Sequence, residues 1–183
     1  MSLRTRRMEE EWHLLEKLAV ANPCILADIA CFPEEFAVTL KNSPAWTQNG
    51  SELKIENEHV VRYVYPRYYP TLPLESYLVR PVAHVNVDPS TGFACLWEQY
   101  RSSQTVVDAV LITRAIMAWR AVNRDPAHQM QALDLPEIPG MQPLFIPEDC
   151  RPILRPRSNK QRLSSGDDNQ SLPEEHCAFS HIE

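Results

Sequence analysis

A histidine, an asparagine, a glycine and a cysteine share one short segment, residues 84–98, with the sequence HVNVDPSTGFACLWE. The thiol of Cys95 could serve as both nucleophile and leaving group, because a thiol ionises at a lower pH than a hydroxyl. The carboxamide of Asn86 could stabilise an oxyanion. His84 could act as a general base, since its unperturbed pKa lies near neutrality. These residue types are compatible with nucleophilic chemistry at a cysteine.

Each of these residues also has a structural interpretation. Cys95 could be a buried core thiol, and Asn86 could bind its own loop through Asx-type hydrogen bonds. Gly92 could permit close backbone approach or belong to an ordinary turn. The residue types alone leave both interpretations open.

The cysteine pattern argues against a metal centre or a disulfide framework. The five cysteines, at positions 24, 31, 95, 150 and 177, are an odd number at irregular spacings, and neither C-x-x-C nor H-E-x-x-H occurs. This pattern favours reduced thiols and predicts no metal site. Neither G-x-G-x-x-G nor the P-loop pattern occurs either, so we expect no cofactor.

The charge of the chain argues against nucleic-acid and membrane partners, and its hydropathy bears on its location. The formal net charge is −6 and the sequence pI is about 5.5, which predicts no nucleic-acid or anionic membrane partner. The sequence has no long apolar run and no apolar signal core. We therefore expect a cytoplasmic protein.

The hydrophobic pattern predicts the elements that must position these residues. The pattern predicts an amphipathic helix over residues 4–23. It predicts the strands of a four-stranded antiparallel meander within residues 24–46, 51–66 and 71–85. Residues 103–123 predict a helix that is apolar around most of its circumference and therefore buried, with Thr105 as N-cap and Asp108 in the capping-box position. The order predicts an α+β domain.

Composition also predicts the domain organisation. Residues 1–135 should form one domain, and the Pro-rich residues 136–154 a strap across it. Residues 155–183 are polar and charged, so we expect a disordered tail.

An ordered set of motifs resembles the ubiquitin-conjugating enzymes. That family shows a Tyr-Pro, a Pro three residues later, a His-Pro-Asn, a Gly followed after two residues by Cys-Leu, and a buried helix before Asn and Asp-Pro. Here the matching residues are Tyr69-Pro70, Pro73, His84-Val85-Asn86, Gly92, Cys95-Leu96, Asn123 and Asp125-Pro126. The resemblance covers about residues 4–132 and implies a UBC-like fold.

Departures from the family pattern indicate which group of the family this sequence resembles. Val85 replaces the family proline, Thr71 stands where many members carry an apolar residue that seats a RING-type ligase, and a Pro-rich segment replaces the usual two C-terminal helices. The sequence therefore looks like the divergent bacterial members. Those are encoded beside an activating-enzyme-like protein, a ubiquitin-like modifier and a JAB-type protease, often in antiviral defence operons. The resemblance implies the modifier, the activating-enzyme-like adenylating protein and an acceptor protein as partners.

The resemblance implies a role for each candidate catalytic residue. Cys95 would carry the modifier as a thioester, and Asn86 would stabilise the oxyanion or hold its loop. His84 would pack beneath the cysteine loop, and Asp125 would orient the incoming amine or begin an Asp-Pro turn. Asp88 is the alternative to Asp125.

We therefore expect a ubiquitin-conjugating-like transferase with Cys95, Asn86, Asp125 and His84 at its site. Two alternatives stay open. One is a catalytically inactive interaction scaffold of the same fold. The other is a Cys-His hydrolase that uses Cys95 with His84 or His128.

Overall fold

The computed structural model describes residues 2–150. The predicted tail, residues 155–183, and the end of the predicted strap lie outside the described residues. Within them, two α-helices and seven β-strands follow the order α1, β1 to β7, α2, with two short 3-10 helices near the end. The α+β prediction is confirmed.

The first helix, α1 (Leu3–Ala21), begins at Ser2, whose side chain accepts a hydrogen bond from the backbone N–H of Thr5 at 3.1 Å. This capping satisfies one of the free amides at the helix start. The buried side chains lie on one stripe, as predicted, and are Met8, Glu11, Leu15 and Leu18. The helix packs this stripe against the sheet and α2.

A five-stranded antiparallel sheet forms the centre of the fold, with the strand order β1-β2-β5-β6-β7. The strands are β1 (Leu26–Cys31), β2 (Glu35–Leu40), β5 (His59–Val64), β6 (Glu75–Leu78) and β7 (Phe93–Ala94). Strand β2 alternates half-buried and buried residues, which is the period expected of a sheet with one face on the core. The last strand, β7, ends immediately before Cys95.

The predicted four-stranded meander is wrong in its strand count. Strands β3 (Ala45–Asn49) and β4 (Glu52–Glu56) form a separate hairpin between β2 and β5. Its turn includes Gly50 at φ 64, in the left-handed region that glycine tolerates. Most of β4 is exposed, so its sequence carries little of the apolar alternation that marks a half-buried strand.

Helix α2 (Val106–Met117) is buried on most of its surface, as its apolar sequence predicts. The Thr105 side chain accepts a hydrogen bond from the Val107 N–H at 3.2 Å, and the Thr105 N–H donates to the Asp108 carboxylate at 2.8 Å. The predicted capping box is confirmed. The helix ends earlier than predicted because Trp119 adopts φ 59, a turn that lets its indole N–H donate to the Ala83 carbonyl at 2.9 Å.

A buried carboxylate joins the two helices. Glu11 on α1 is fully buried and accepts hydrogen bonds from Arg7 (2.8 Å), the hydroxyl of Tyr65 (3.0 Å) and the backbone N–H of Val106 (2.8 Å). The hydroxyl of Tyr69 donates to it as well. Burial raises the pKa of Glu11, and its polar partners oppose that effect. Glu11 thus fixes the start of α2 against α1.

Residues 136–150 run across the helices. The Asn22 side chain both donates to the Phe145 carbonyl at 2.7 Å and accepts from the Phe145 N–H at 2.8 Å. Ile138 and Met141 are buried, and Arg114 donates to the Gln142 carbonyl at 2.8 Å.

Within residues 2–150, no helix is both long and apolar enough to cross a membrane.

Candidate functional site

Cys95 lies at the end of the sheet, beside a shallow cavity. Its backbone N–H donates to the carbonyl of Asn86 at 2.9 Å, which fixes the start of the loop that follows β7. The half-buried side chain lines a cavity of about 250 Å³. The other lining residues are Asn86, Leu96, Glu98, Ile112, Ile116, Ala121, Val122 and Asn123.

The environment of Cys95 keeps its thiol protonated at neutral pH. Burial raises the pKa of the thiol above its ordinary value, because a low-dielectric surrounding disfavours the thiolate. A neighbouring group that accepts the proton would therefore assist a reaction at this sulfur.

The Asn86 carboxamide spans two parts of the chain. Its Nδ2 donates to the carbonyls of Asn123 at 2.8 Å and His128 at 3.0 Å, and its Oδ1 accepts from the Asn123 N–H at 2.8 Å. Both amide hydrogens are thus directed to backbone carbonyls. This geometry corresponds to the loop-holding interpretation of Asn86. Oxyanion stabilisation would require one of these hydrogens to change its partner.

His84 lies in the core beneath the site. Its Nδ1 accepts the backbone N–H of Asn86 at 3.1 Å, and its ring packs against Trp119 at a centroid distance of 4.4 Å. Burial lowers the pKa of His84 to about 4, so the ring is neutral near pH 7. These contacts are those of a packing residue, and the hydrogen bonds of its ring do not include Cys95.

Asp125 occupies an exposed turn and does not line the cavity of Cys95. Its carboxylate accepts the backbone N–H of Ala127 at 2.9 Å and begins the 3-10 helix Pro126–His128. The carboxylate of Asp88 is similarly held by its own loop, through the Ser90 N–H at 2.7 Å and the Thr91 N–H at 3.1 Å. In this structure, both carboxylates have the contacts of turn residues.

Gly92 meets a strict steric requirement. It has φ 76, and a Cβ placed there would lie 2.0 Å from the carbonyl oxygen of Leu78. The Leu78 N–H also donates to the Gly92 carbonyl at 2.9 Å. Close backbone approach is therefore the reason for glycine here, and the approach is to β6 of this chain.

A histidine from a distant part of the chain contacts the thiol. The Sγ of Cys95 lies 3.0 Å from Nδ1 of His128, which is 33 residues further along the sequence. Sequence reasoning placed His128 only in the hydrolase alternative. No local motif marks the pair, because the contact depends on how the loop after α2 folds back over the site.

The described residues contain no cluster of three or more His, Cys, Asp or Glu side chains that could hold a metal ion.

Comparison with known proteins supports the fold assignment. No family model matches the chain, and no curated protein matches its sequence. Among solved structures, the fold is similar to that of a protein described as "Ubiquitin conjugating enzyme (putative) from Trypanosoma cruzi", with a TM-score of 0.51 and 16% sequence identity. The similarity covers 66% of this chain and 81% of that one. An N-terminal helix, an antiparallel sheet and a second, buried helix therefore form a ubiquitin-conjugating-enzyme-like fold.

Proposed function

We propose that this chain carries a ubiquitin-like modifier as a thioester on Cys95 and transfers it to an acceptor nucleophile. The observation that carries this proposal is the half-buried Cys95 thiol, which opens onto a shallow cavity within a ubiquitin-conjugating-enzyme-like fold. A cavity of about 250 Å³ is too small for a folded protein. The proposal therefore requires that an extended peptide end, the C-terminal tail of a modifier, enter this cavity and reach the sulfur.

The proposed reaction has two acyl transfers. First, the Cys95 sulfur attacks the thioester carbonyl of the charged activating protein, the new S–C bond forms, and the activating protein leaves as a thiol. Then an acceptor nucleophile, such as a lysine amine, attacks the Cys95 thioester, and Cys95 leaves as a thiol. Sulfur suits both steps because it attacks well and leaves well.

The sequence resemblance supplies the proposed setting. The partners would be a ubiquitin-like modifier with a Gly-ending tail, an activating-enzyme-like adenylating protein and an acceptor protein. The setting would be a bacterial, cytoplasmic conjugation pathway of the kind found in antiviral defence operons. Gene neighbours that encode the adenylating protein and the modifier would support it.

A thioester assay tests the transferase. The chain is incubated with the modifier, the adenylating protein and ATP, and the products are separated with and without reductant. We expect an adduct that the reductant removes, and a reductant-resistant oxyester in Cys95→Ser. Cys31→Ser, at an exposed cysteine, is the matched control and should behave as the wild type. Absence of an adduct in the wild type contradicts the proposal, and modifier binding without an adduct would point to a scaffold.

A second candidate function is a Cys-His hydrolase. The 3.0 Å contact between Cys95 and His128 favours it, because a thiol next to an imidazole is the core of a cysteine hydrolase. Against it, the hydrogen bonds of the described side chains include none that would orient the His128 ring from its other nitrogen. Cleavage of a modifier–peptide fusion without ATP, lost in Cys95→Ser, would establish the hydrolase instead of the transferase.

A further inference from the structure

The side chain of His128 is placed to exchange a proton with the thiol of Cys95. The two heavy atoms, Nδ1 and Sγ, lie 3.0 Å apart, which is within hydrogen-bond reach of a catalytic base and its nucleophile. His128 is half-buried, so part of the residue is open to solvent.

Several hydrogen bonds hold His128 in this position. Its backbone N–H donates to the Asp125 carbonyl at 2.9 Å, and its carbonyl accepts from the Asn86 side chain at 3.0 Å. Just beyond, the Met130 N–H donates to the Val85 carbonyl at 2.7 Å. The backbone that follows the imidazole is thus anchored to the segment that leads to Cys95, and the backbone that precedes it is held within its own 3-10 helix. This anchoring of the backbone places the imidazole beside the Sγ of Cys95.

We propose that His128 is a catalytic residue that takes the proton from Cys95 as the thiol attacks, and later takes the proton of the acceptor. This inference rests on the proposed acyl-transfer function and names its proton acceptor. The carboxylates of Asp125 and Asp88 are bound within their own turns, whereas the imidazole contacts the reacting sulfur directly.

The imidazole of His128 alone accounts for the proton transfers in both steps of the proposed reaction. In the first, the S–H proton moves to Nδ1 while the Sγ–C bond forms, and His128 then gives the proton to the departing thiolate of the activating protein. In the second, an N–H proton of the acceptor amine moves to Nδ1 while the N–C bond forms. The Sγ–C bond breaks, and His128 returns the proton to the Cys95 thiolate. No oxidant, metal or cofactor is needed.

The test measures the reactivity of the thiol and needs no modifier. The full chain is alkylated with iodoacetamide at pH values from about 6 to about 10, and the rate at each cysteine is read by peptide mass spectrometry. We expect His128→Asn to lower the rate at Cys95 by at least about tenfold near pH 7. Rates at the exposed Cys24 and Cys31 should stay unchanged and serve as internal references.

A rescue experiment separates proton transfer from a structural role. Free imidazole should restore the Cys95 rate in His128→Ala, and should not change it in the wild type. His13→Asn, at an exposed histidine of α1, is the matched histidine control and should retain the wild-type dependence of rate on pH. The charged groups nearest the pair are Glu98, in the cavity lining, and Asp125, at the start of the same 3-10 helix.

Two results would overturn the inference. One is a Cys95 rate in His128→Asn within about twofold of the wild type at every pH, with thermal unfolding unchanged. The other is a reduced rate that imidazole does not restore. The thioester assay tests the proposed function independently of these alkylation rates. A rate that depends on His128 in a chain that forms no thioester would uphold the proton transfer and reject the transferase.

Discussion

A single side chain, that of Asn86, binds the backbone of the residue whose imidazole contacts the thiol. The Asn86 Nδ2 donates to the His128 carbonyl at 3.0 Å, while the Asn86 carbonyl accepts the Cys95 N–H at 2.9 Å. Asn86 therefore binds the backbone of both residues of the pair, that of His128 through its side chain and that of Cys95 through its own carbonyl. Its removal should affect stability and thiol reactivity together.

We expect Asn86→Ala to lower the free energy of unfolding by about 3 kcal/mol, because three hydrogen bonds are lost and buried backbone groups are left without partners. Urea unfolding measures this change. Asn57→Ala, at an exposed residue, is the matched control and should change stability by less than about 0.5 kcal/mol. The Cys95 alkylation rate should fall in Asn86→Ala as well. An equal stability loss in both variants would contradict the anchoring role.

The buried His84 should make the protein less stable in acid. Its pKa is about 4 in the folded state, whereas an unfolded histidine titrates near pH 6.5. Between these values the unfolded chain binds more protons, so stability falls as the pH falls. The contribution of His84 amounts to about 2 kcal/mol between pH 7 and pH 5.

Urea unfolding across this pH range checks the prediction. His84→Gln should be less stable at pH 7 but should lose less stability on acidification than the wild type. The pKa of His59 is also lowered by burial, so part of the wild-type slope should persist. His13→Asn, at an exposed residue on α1, should keep the full wild-type slope. A wild-type slope in His84→Gln would show that another group is responsible.

Gly92→Ala should destabilise the fold strongly, because the new Cβ would lie 2.0 Å from the Leu78 carbonyl oxygen at a position with φ 76. We expect a loss of about 3 kcal/mol in urea unfolding, the sum of backbone strain and displacement of β6. Gly50→Ala has a similar φ of 64 and nothing within 4 Å. It should cost about 1 kcal/mol from the backbone alone. Equal losses at the two glycines would argue against the close approach.

Glu11→Ala should be among the most destabilising changes, by about 3 to 5 kcal/mol, since it leaves the buried partners of the carboxylate unsatisfied. Those partners are Arg7, Tyr65, Tyr69 and the Val106 N–H at the start of α2. Glu10→Ala, on the exposed side of the same helix, should change stability by at most about 0.5 kcal/mol. Thermal and urea unfolding of the two variants compare them directly.

The sequence determined those features that depend on near neighbours in the chain. The amphipathic helix α1, the apolar surface of α2 and its capping box follow from residue types a few positions apart, and the structure contains each of them. The motif order from Tyr69 to Asp125 also predicted a ubiquitin-conjugating-enzyme-like fold. The hairpin of β3 and β4 was missed because its exposed strand lacks a periodic apolar signal.

The tertiary structure decided what surrounds the thiol. Helix α2 ends at Met117 rather than near Asn123 because Trp119 turns back to bond the Ala83 carbonyl. That turn begins the loop that Asn86 holds and that brings His128 to Cys95 across 33 residues of sequence. Residue types in a sequence can indicate which side chains could act as a nucleophile and as a base. Their distance is set by the packing and hydrogen bonds of the segments between them, which no local pattern encodes.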